Sequence, residues 1–187
     1  MKVMVISGSR APAGRTARAA GALIEGIRDK GGEAELVFLP AGNIERCRQC
    51  DDAGWGDCRA EGRCVIDDDF AALVDAVRVA DCVAFATPVY FSDLSESLRA
   101  FLDRLRRITR HEAGKVGITD KPAVGICVAG GGGGGAPPCA AILERTLATC
   151  GFDVVDVVPA RRQNLAMKLA VLKTVGAYLA DGAPKEA

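Results

Sequence analysis

The sequence predicts an α/β protein with a doubly wound, five-stranded parallel sheet and strand order 2-1-3-4-5. Five short apolar runs alternate with five segments of helical periodicity, which is the pattern of a parallel sheet covered by helices. Three of the runs lead into loops rich in glycine, serine or proline, where such folds bind ligands. With 187 residues, of which 49% are hydrophobic, we expect a single domain over residues 1–187.

The first three strands are predicted where apolar runs meet turn residues, at Val3–Ile6, Glu35–Leu39 and Cys82–Ala86. Between the first two strands, apolar side chains at helical spacing predict a helix over residues 15–30, ended by a glycine pair. A second helix before the third strand starts at Asp67-Asp68-Asp69, where an aspartate is expected to act as the N-cap.

The second half of the chain continues the alternation. An amphipathic helix follows the third strand, and Asp103-Arg104 on it is expected to form a salt link between helices. The apolar face of this helix is predicted to consist of Leu98, Phe101, Leu102, Leu105 and Ile108. The remaining elements, two strands and two helices, are predicted at Val124–Val128, Pro138–Cys150, Val154–Val158 and Leu165–Leu179. Right-handed crossovers then place the ligand crevice at the carboxyl ends of strands 1 and 3.

The loop after the first strand brings glycines, hydroxyls and cations together within residues 7–16. A strand that leads through such a loop into a helix presents backbone N–H groups and the positive end of the helix dipole. The side chains that suit a phosphate monoester there are Ser7, Ser9, Arg10, Arg15 and Thr16. We therefore predict a phosphate site, with an ordinary β–α turn as the alternative.

Two better-known phosphate loops match this segment less closely. The dinucleotide fingerprint needs a further glycine suitably placed between Gly8 and Gly14. A P-loop needs four residues between its glycines and then a lysine, whereas this loop has five residues and Arg15. The third strand also leads to Thr87-Pro88 rather than to a magnesium-binding aspartate. A P-loop-like nucleotide-binding protein is therefore the weaker alternative.

Two further loops follow strands 3 and 4. Residues 87–91 combine a proline with two aromatic side chains, which suits the wall of a slot for a planar heterocycle. Six consecutive glycines, Gly130–Gly135, let backbone approach a flat ligand closely. The alternatives are a turn that covers the end of the sheet and a flexible glycine hinge.

Together the three loops resemble the flavodoxin-like NAD(P)H-dependent FMN reductase family, through GSRAPAGRT (8–16), TPVYF (87–91), SLRAFLDR (97–104) and the glycine loop. The resemblance implies that Ser9, Arg10, Arg15 and Thr16 hold the FMN phosphate. It implies that Pro88, Val89, Tyr90 and Phe91 pass along the ribityl chain and the isoalloxazine ring. It also implies that Gly130, Gly131 and Gly132 border the ring.

The eight cysteines fall into two groups. Cys82, Cys127, Cys139 and Cys150 stand singly in apolar segments, as small buried side chains do. Cys47, Cys50, Cys58 and Cys64 crowd into an irregular loop insertion after strand 2, residues 41–66. This second group resembles the iron–sulfur flavoprotein branch of the family, which implies a 4Fe–4S cluster beside FMN. Zinc bound by the four thiolates, and free thiols in a lid, are the alternatives.

The resemblance implies an FMN-dependent oxidoreductase that takes electrons from NAD(P)H and passes them to a small-molecule or protein acceptor. The alternative is a non-enzymatic flavodoxin or iron–sulfur flavoprotein that carries electrons. A receiver-type signalling domain needs acidic residues where Ser7 and Thr87 stand. Equal numbers of basic and acidic residues, 24 each, argue against nucleic-acid or membrane partners. With no signal-peptide pattern, a cytoplasmic protein is expected, and the apolar surface near Tyr90 suggests a homodimer or homotetramer.

Overall fold

Five parallel strands form the centre of the protein in a computed structural model that describes residues 1–182. They are hydrogen-bonded in the order β2-β1-β3-β4-β5. The strands are β1 (Lys2–Ser7), β2 (Glu33–Phe38), β3 (Cys82–Pro88), β4 (Pro122–Ala129) and β5 (Asp153–Arg161). The predicted fold class and strand order are confirmed. Strands β3 and β5 run further than predicted, because parallel pairing continues to Pro88 and Arg161.

The helices are α1 (Arg15–Asp29), α2 (Asp57–Ala60), α3 (Phe70–Val79), α4 (Glu96–Ile108), α5 (Glu112–Lys115), α6 (Ala136–Cys150) and α7 (Leu165–Ala180). Short 3-10 helices lie at Leu39–Ala41 and Arg162–Asn164. The two four-residue helices escape prediction because one turn is too short to show a 3.6-residue period. Within residues 1–182, no helix is long and apolar enough to cross a membrane.

Two hydrophobic cores lie on opposite faces of the sheet. Helices α1 and α7 cover one face, and α3, α4 and α6 cover the other. The predicted apolar face of α4 is almost completely buried, as its 0–2% exposure shows. Helices α1 and α7 touch backbone to backbone, since a Cβ added at Gly26 would lie 1.9 Å from the Lys173 carbonyl oxygen.

The predicted Asp103-Arg104 link is wrong, whereas an aspartate at the start of α3 does accept a hydrogen bond from the first turn, as predicted. Arg104 pairs with Asp68 at 2.6 Å, whereas Asp103 pairs with Arg106 at 2.9 Å along the same helix. Asp69 does not cap α3 through its side chain; the Phe70 N–H donates instead to Asp68 Oδ1 at 3.1 Å. Helical spacing predicts which face of a helix is buried. It does not predict which distant carboxylate pairs with a buried arginine.

Candidate functional site

An open crevice of about 800 Å³ lies at the carboxyl ends of β1, β3 and β4. This volume falls within the range of about 300–1,000 Å³ that small-molecule sites occupy. Its walls come from three loops: residues 9–18, residues 88–92 and residues 128–135. The crevice therefore lies where the strand order reverses, which is the expected ligand position for this topology.

Hydrogen bonds fix the three loops relative to one another. The Gly8 N–H donates to the Ala86 carbonyl at 2.8 Å, and Ser97 Oγ donates to the Gly8 carbonyl at 3.1 Å. The Val89 N–H donates to the Val128 carbonyl at 3.0 Å. A Cβ at Gly8 would lie 2.2 Å from Ser95 Oγ, so only glycine fits there. Backbone hydrogen bonds and one close glycine contact thus hold the walls of the crevice together.

The first loop aims the N-terminus of α1 at the crevice. Ser7 is buried and its Oγ accepts the Ser9 N–H at 3.2 Å, while Ser9 Oγ accepts the Ala11 N–H at 3.2 Å. Helix α1 starts after Gly14 without a side-chain cap and has no acidic residue in its first turn. Its first N–H groups therefore keep their capacity to bind an anion, and the buried Thr16 adds a hydroxyl at the same end.

The second loop is a tight turn that exposes two aromatic side chains. Tyr90 and Asp93 exchange two backbone hydrogen bonds, of 3.1 and 2.9 Å. Phe91 and Ser92 between them have φ angles of 49° and 66°, as in a type I′ turn. A bulky residue at positive φ is strained, and such strain is concentrated at functional sites. Phe91 is fully exposed, at 105% of its reference area.

The third loop is the glycine run, which lines the crevice with bare backbone. Gly131 and Gly133 have φ angles of 47° and 79°, which non-glycine residues rarely adopt. A Cβ added at Gly131 or Gly132 would meet nothing within 4 Å, so a side chain there would occupy open space beside the crevice. Gly135 closes against the second loop, since its added Cβ would lie 3.1 Å from Val89 Cγ1.

Most of the predicted flavin-site residues meet in this crevice. The predicted residues that line it are Ser9, Arg15, Thr16, Pro88, Val89, Tyr90, Phe91, Gly130 and Gly131. Ser7 lies behind the first loop, while Arg10 and Gly132 are not part of the lining. Arg18 lines the crevice and was missed, although it follows Arg15 by three residues and so shares its helix face.

The crevice has cations, hydroxyls and aromatic walls, but no acid–base pair. Among the described residues that line it, none is Asp, Glu, His or Cys. The cationic side chains are Arg15 and Arg18, and neither has an ion-pair partner within residues 1–182. An arrangement of this kind can hold a phosphate and a flat ring, and it leaves the chemistry to the bound group.

The four clustered cysteines line one small cavity of about 20 Å³ between residues 47–66 and helix α4. Cys58 is buried, Cys47 and Cys64 are half-buried and Cys50 is exposed. Burial raises the pKa of the Cys58 thiol; Arg107 opposes this shift, and the neighbouring Cys47 and Cys64 add to it. The Cys47, Cys58 and Cys64 thiols therefore lie close enough to influence one another's ionisation.

Trp55 closes this cavity between two arginines. The guanidinium of Arg107 lies 4.8 Å from the Trp55 ring centroid, and that of Arg59 lies 5.6 Å from it. Arg107 also donates to the Gly54 carbonyl at 2.6 Å. Asp51 accepts the Trp55 N–H at 2.7 Å, which fixes the backbone of the turn. Residues 41–66, called the cysteine segment below, are thus attached to α4 through side chains.

A buried ion pair between Asp68 and Arg104 lies just after the cysteine segment, and Asp68 also holds Glu45 near its start. Asp68 accepts two hydrogen bonds from Arg104, of 2.6 and 2.8 Å, and the Glu45 N–H donates to it at 2.8 Å. Burial alone would raise the pKa of Asp68, but hydrogen bonds from Arg104, Glu45 and Phe70 hold it below its usual value. Burial likewise acts to lower the pKa of Arg104, and Asp68 and Cys64 raise it above the ordinary value.

The donor set of the cysteine cavity suits a thiolate-bound metal, although the spacing is not that of a formed metal site. Within residues 1–182, no three His, Cys, Asp or Glu side chains are arranged to hold an ion. A cavity of about 20 Å³ has room for roughly one water-sized sphere. A 4Fe–4S cluster is larger than this cavity.

Comparison with known sequences points to flavin reductases and iron–sulfur flavoproteins. A family profile described as NADPH-dependent FMN reductase matches residues 1–176. An iron–sulfur flavoprotein of Methanosarcina thermophila is 34% identical over 120 residues, which are 63% of this chain and 60% of that protein. One from Methanocaldococcus jannaschii is also 34% identical, over 63% of this chain and 59% of its own length. The chain thus spans about 60% of the length of these relatives.

Solved structures share the fold at low sequence identity. An NAD(P)H:quinone oxidoreductase from Methanothermobacter marburgensis superposes with a TM-score of 0.71 and 20% identity, covering 96% of each chain. An archaeal flavodoxin superposes with a TM-score of 0.63 and 14% identity, covering 97% of each chain. These similarities establish the flavodoxin-like fold.

Proposed function

The chain belongs to the NADPH-dependent FMN reductase family, and on this basis we propose that it is an FMN-dependent oxidoreductase that takes electrons from NADPH or NADH. One observation carries the proposal. Three loops from the carboxyl ends of β1, β3 and β4 enclose a single crevice of about 800 Å³, whose charged side chains are Arg15 and Arg18. This is the combination that a phosphate-bearing planar cofactor requires.

The phosphate end of the proposed FMN site is the N-terminus of α1. Ser9, Arg15 and Thr16 line the crevice at this end, and Arg18 adds a second cation on the same helix face. Charge-assisted hydrogen bonds from arginine and from backbone N–H groups favour a phosphate monoester. Arg10, on the exposed side of the loop, is proposed to complete the pocket from outside.

The ring end of the proposed site lies between residues 88–92 and residues 130–135. Tyr90 and Val89 supply apolar wall, and the glycine backbone can border a ring at close range. When bound, FMN supplies hydride acceptance and one-electron donation, so no side chain has to act as acid or base. The protein binds the phosphate, orients the ring and leaves one side of the crevice open for the nicotinamide.

The experiment is a titration of the purified chain with FMN, followed by assays of NADPH and NADH oxidation with a quinone or ferric acceptor. FMN is expected to bind with quenched fluorescence, and the complex should oxidise at least one nicotinamide much faster than free FMN does. If the complex oxidises NADPH and NADH no faster than free FMN does, the proposed reductase activity is refuted. FMN binding without such oxidation would favour the second candidate, a flavodoxin-type electron carrier.

We further propose that Cys47, Cys50, Cys58 and Cys64 bind a 4Fe–4S cluster, through which electrons reach the acceptor. Support comes from the shared cavity of the four thiols and from the relatives named iron–sulfur flavoprotein. Thiolates suit such a cluster because each iron takes one soft anionic ligand. A single zinc ion is the competing occupant, favoured by the small volume of the cavity.

Metal and acid-labile sulfide analysis of anaerobically purified protein decides between these occupants. Iron with sulfide in equal amounts supports the cluster, and zinc without sulfide supports a structural site. A chain that holds neither would leave the segment as a thiol-bearing lid. The acceptor is proposed to be a small molecule or a partner protein, and the protein is proposed to act in the cytoplasm as a homodimer or homotetramer.

A further inference from the structure

A second cavity adjoins the crevice at Arg18. It is an open groove of about 410 Å³ between helices α1 and α7, called the α1–α7 groove below. Its apolar lining is made of small and aliphatic side chains and bare backbone, at Gly21, Ala22, Leu169 and Ala170. Arg18 lines both the groove and the crevice. The two spaces therefore meet at one cationic side chain, and a ligand too long for the crevice can continue into the groove.

The two arginines of the crevice differ in their surroundings. Arg15 extends from the start of α1 toward the third loop, since its Nη1 would lie 3.6 Å from a Cβ added at Gly130. Arg18 lies about 4.5 Å further along the helix axis, because an α-helix rises about 1.5 Å per residue. Its backbone N–H already donates to the Gly14 carbonyl at 3.0 Å. Arg18 therefore lies beyond the free N–H groups that favour the FMN phosphate, and its side chain is available to a second anion.

The positive charge of Arg18 is not neutralised by a neighbouring carboxylate. The other cation of the groove, Lys173, pairs with Glu25 at 2.6 Å and with Asp29 at 2.9 Å. Within residues 1–182, the exposed Arg18 guanidinium joins no salt bridge. A guanidinium matches the oxygens of a phosphate group through paired hydrogen bonds. The boundary between the crevice and the groove therefore suits a phosphate group.

We propose that Arg18 binds the pyrophosphate of the nicotinamide dinucleotide and that the α1–α7 groove receives its adenosine half. The inference rests on the proposed reductase function and deepens it, because it assigns the electron donor a site beside that of FMN. A dinucleotide has two flat ring systems joined by an anionic pyrophosphate. The molecule offers matching features in the same order: the open side of the crevice, the Arg18 guanidinium and the groove. Because NADPH and NADH share the pyrophosphate, Arg18 is expected to bind both.

The first test compares Arg18→Gln with Arg28→Gln, which removes an exposed arginine from the last turn of the same helix. Each variant is titrated with FMN; the FMN-loaded protein is then titrated with ADP by calorimetry and assayed with NADPH and NADH. ADP carries the pyrophosphate and the adenosine without the nicotinamide. In Arg18→Gln, the Kd for ADP and the KM for both dinucleotides should rise about tenfold, while kcat and the Kd for FMN stay unchanged. Arg28→Gln should match the original protein in every value.

The second test fills the groove. Ala170→Trp adds a large ring at an exposed position of α7 that lines the groove. Met167→Trp is the matched control, because Met167 is exposed on the same helix and is not part of the groove lining. Ala170→Trp should weaken ADP binding by about tenfold, and Met167→Trp should leave it unchanged. Both variants should keep the FMN affinity of the original protein, which also shows that they are folded.

The outcomes separate the inference from the function on which it rests. If the original protein binds no FMN, or oxidises neither dinucleotide, the reductase is refuted and the inference falls with it. If Arg18→Gln loses FMN affinity as strongly as ADP affinity, Arg18 belongs to the FMN phosphate and the inference alone is overturned. A KM raised for NADPH but not for NADH would assign Arg18 to the 2′-phosphate and would also overturn it. Unchanged ADP affinity in Arg18→Gln or in Ala170→Trp would do the same.

Discussion

At the scale of single residues, the buried pair Asp68–Arg104 connects the cysteine segment to the core. Both side chains are nearly inaccessible, at 0% and 1%. Removing one partner of such a pair leaves a buried charge without compensation, which costs more than the intact pair contributes. The pair is therefore expected to be a point of sensitivity to mutation and to acid.

Replacing Asp68 by Asn should lower the free energy of unfolding at pH 7 by about 3–5 kcal/mol. Asp75→Asn is the matched control, because Asp75 pairs with Arg78 at 3.0 Å but is 71% exposed; it should cost at most about 1 kcal/mol. Urea denaturation of both variants gives the two values. An equal loss of unfolding free energy in the two variants would contradict the claim that burial makes the Asp68–Arg104 pair sensitive.

Stability should also depend on the ionisation of Asp68. Its pKa in the folded protein lies below the ordinary value of 3.8, so the unfolded chain binds the proton more readily. The contribution of the pair is complete above the ordinary pKa and is lost as the pH falls through the folded pKa. Between pH 5 and about pH 3, the unfolding free energy of Asp68→Asn should fall less steeply than that of the original protein. Parallel slopes in urea titrations would contradict this.

The proposed phosphate site gives a second prediction at this scale. Arg15 lines the crevice and Arg10 does not, so Arg15→Ala should weaken FMN binding more than Arg10→Ala. A charge-assisted hydrogen bond contributes about 1.5–3 kcal/mol, which corresponds to roughly a tenfold to hundredfold rise in Kd. Fluorescence titration with FMN measures both variants. A larger loss for Arg10→Ala would place the phosphate outside the first turn of α1.

At the scale of elements, helices α1 and α7 pack so closely that glycine is required at the contact. Added Cβ atoms would lie 1.9 Å from the Lys173 carbonyl oxygen at Gly26 and 2.1 Å from the Leu23 carbonyl oxygen at Gly176. Neither position signals this in the sequence, where glycine inside a helix only lowers helix propensity. The contact holds the N-terminal half of the chain to its last helix.

Gly26→Ala should therefore lower the unfolding free energy by about 1–3 kcal/mol or more, because the helices must separate. Gly21→Ala is the control on the same helix, where an added Cβ meets nothing within 4 Å. It should raise stability by about 0.5–1 kcal/mol through helix propensity. Thermal and urea unfolding compare the two, and a stabilising Gly26→Ala would show that α7 packs elsewhere.

The cysteine segment should behave as one unit that is separate from the sheet. Cys58→Ala is expected to release bound metal and to make residues 41–66 sensitive to proteolysis, while the circular dichroism of the sheet and helices persists. Cys127→Ala is the control, because Cys127 is buried in β4 beside Cys139, with its Sγ at 3.5 Å from that of Cys139. It should keep the metal and lose only packing energy. Metal retained in Cys58→Ala would contradict the shared site.

At the scale of the whole molecule, the turn beside the crevice leaves aromatic surface uncovered. Tyr90 is 47% exposed and Phe91 is fully exposed. We expect a homodimer or homotetramer that covers this turn. Light scattering at micromolar concentration should give at least twice the monomer mass, and Phe91→Asp should reduce it. Val79→Asp, at a 69% exposed valine of α3 away from the crevice, should not. A monomeric original protein would contradict the expectation.

The amino-acid sequence determined the order of the elements and the place of the crevice. Apolar runs such as Val3–Ile6, and the spacing of Leu98 and Leu102 on α4, are local patterns set by strand and helix periods. The three loops were predictable for the same reason. Parallel strands bring their carboxyl ends to one edge, so residues near positions 9, 90 and 130 had to meet.

Only the tertiary structure decided which polar and small residues touch across the fold. Arg104 pairs with Asp68, 36 residues away, while Asp103 pairs with Arg106 on its own helix. Gly26 meets α7 because the chain returns over α1, and the four cysteines share a cavity because α4 forms its opposite wall. Such contacts depend on three-dimensional approach between segments distant in sequence. Local periodicity carries no information about that approach.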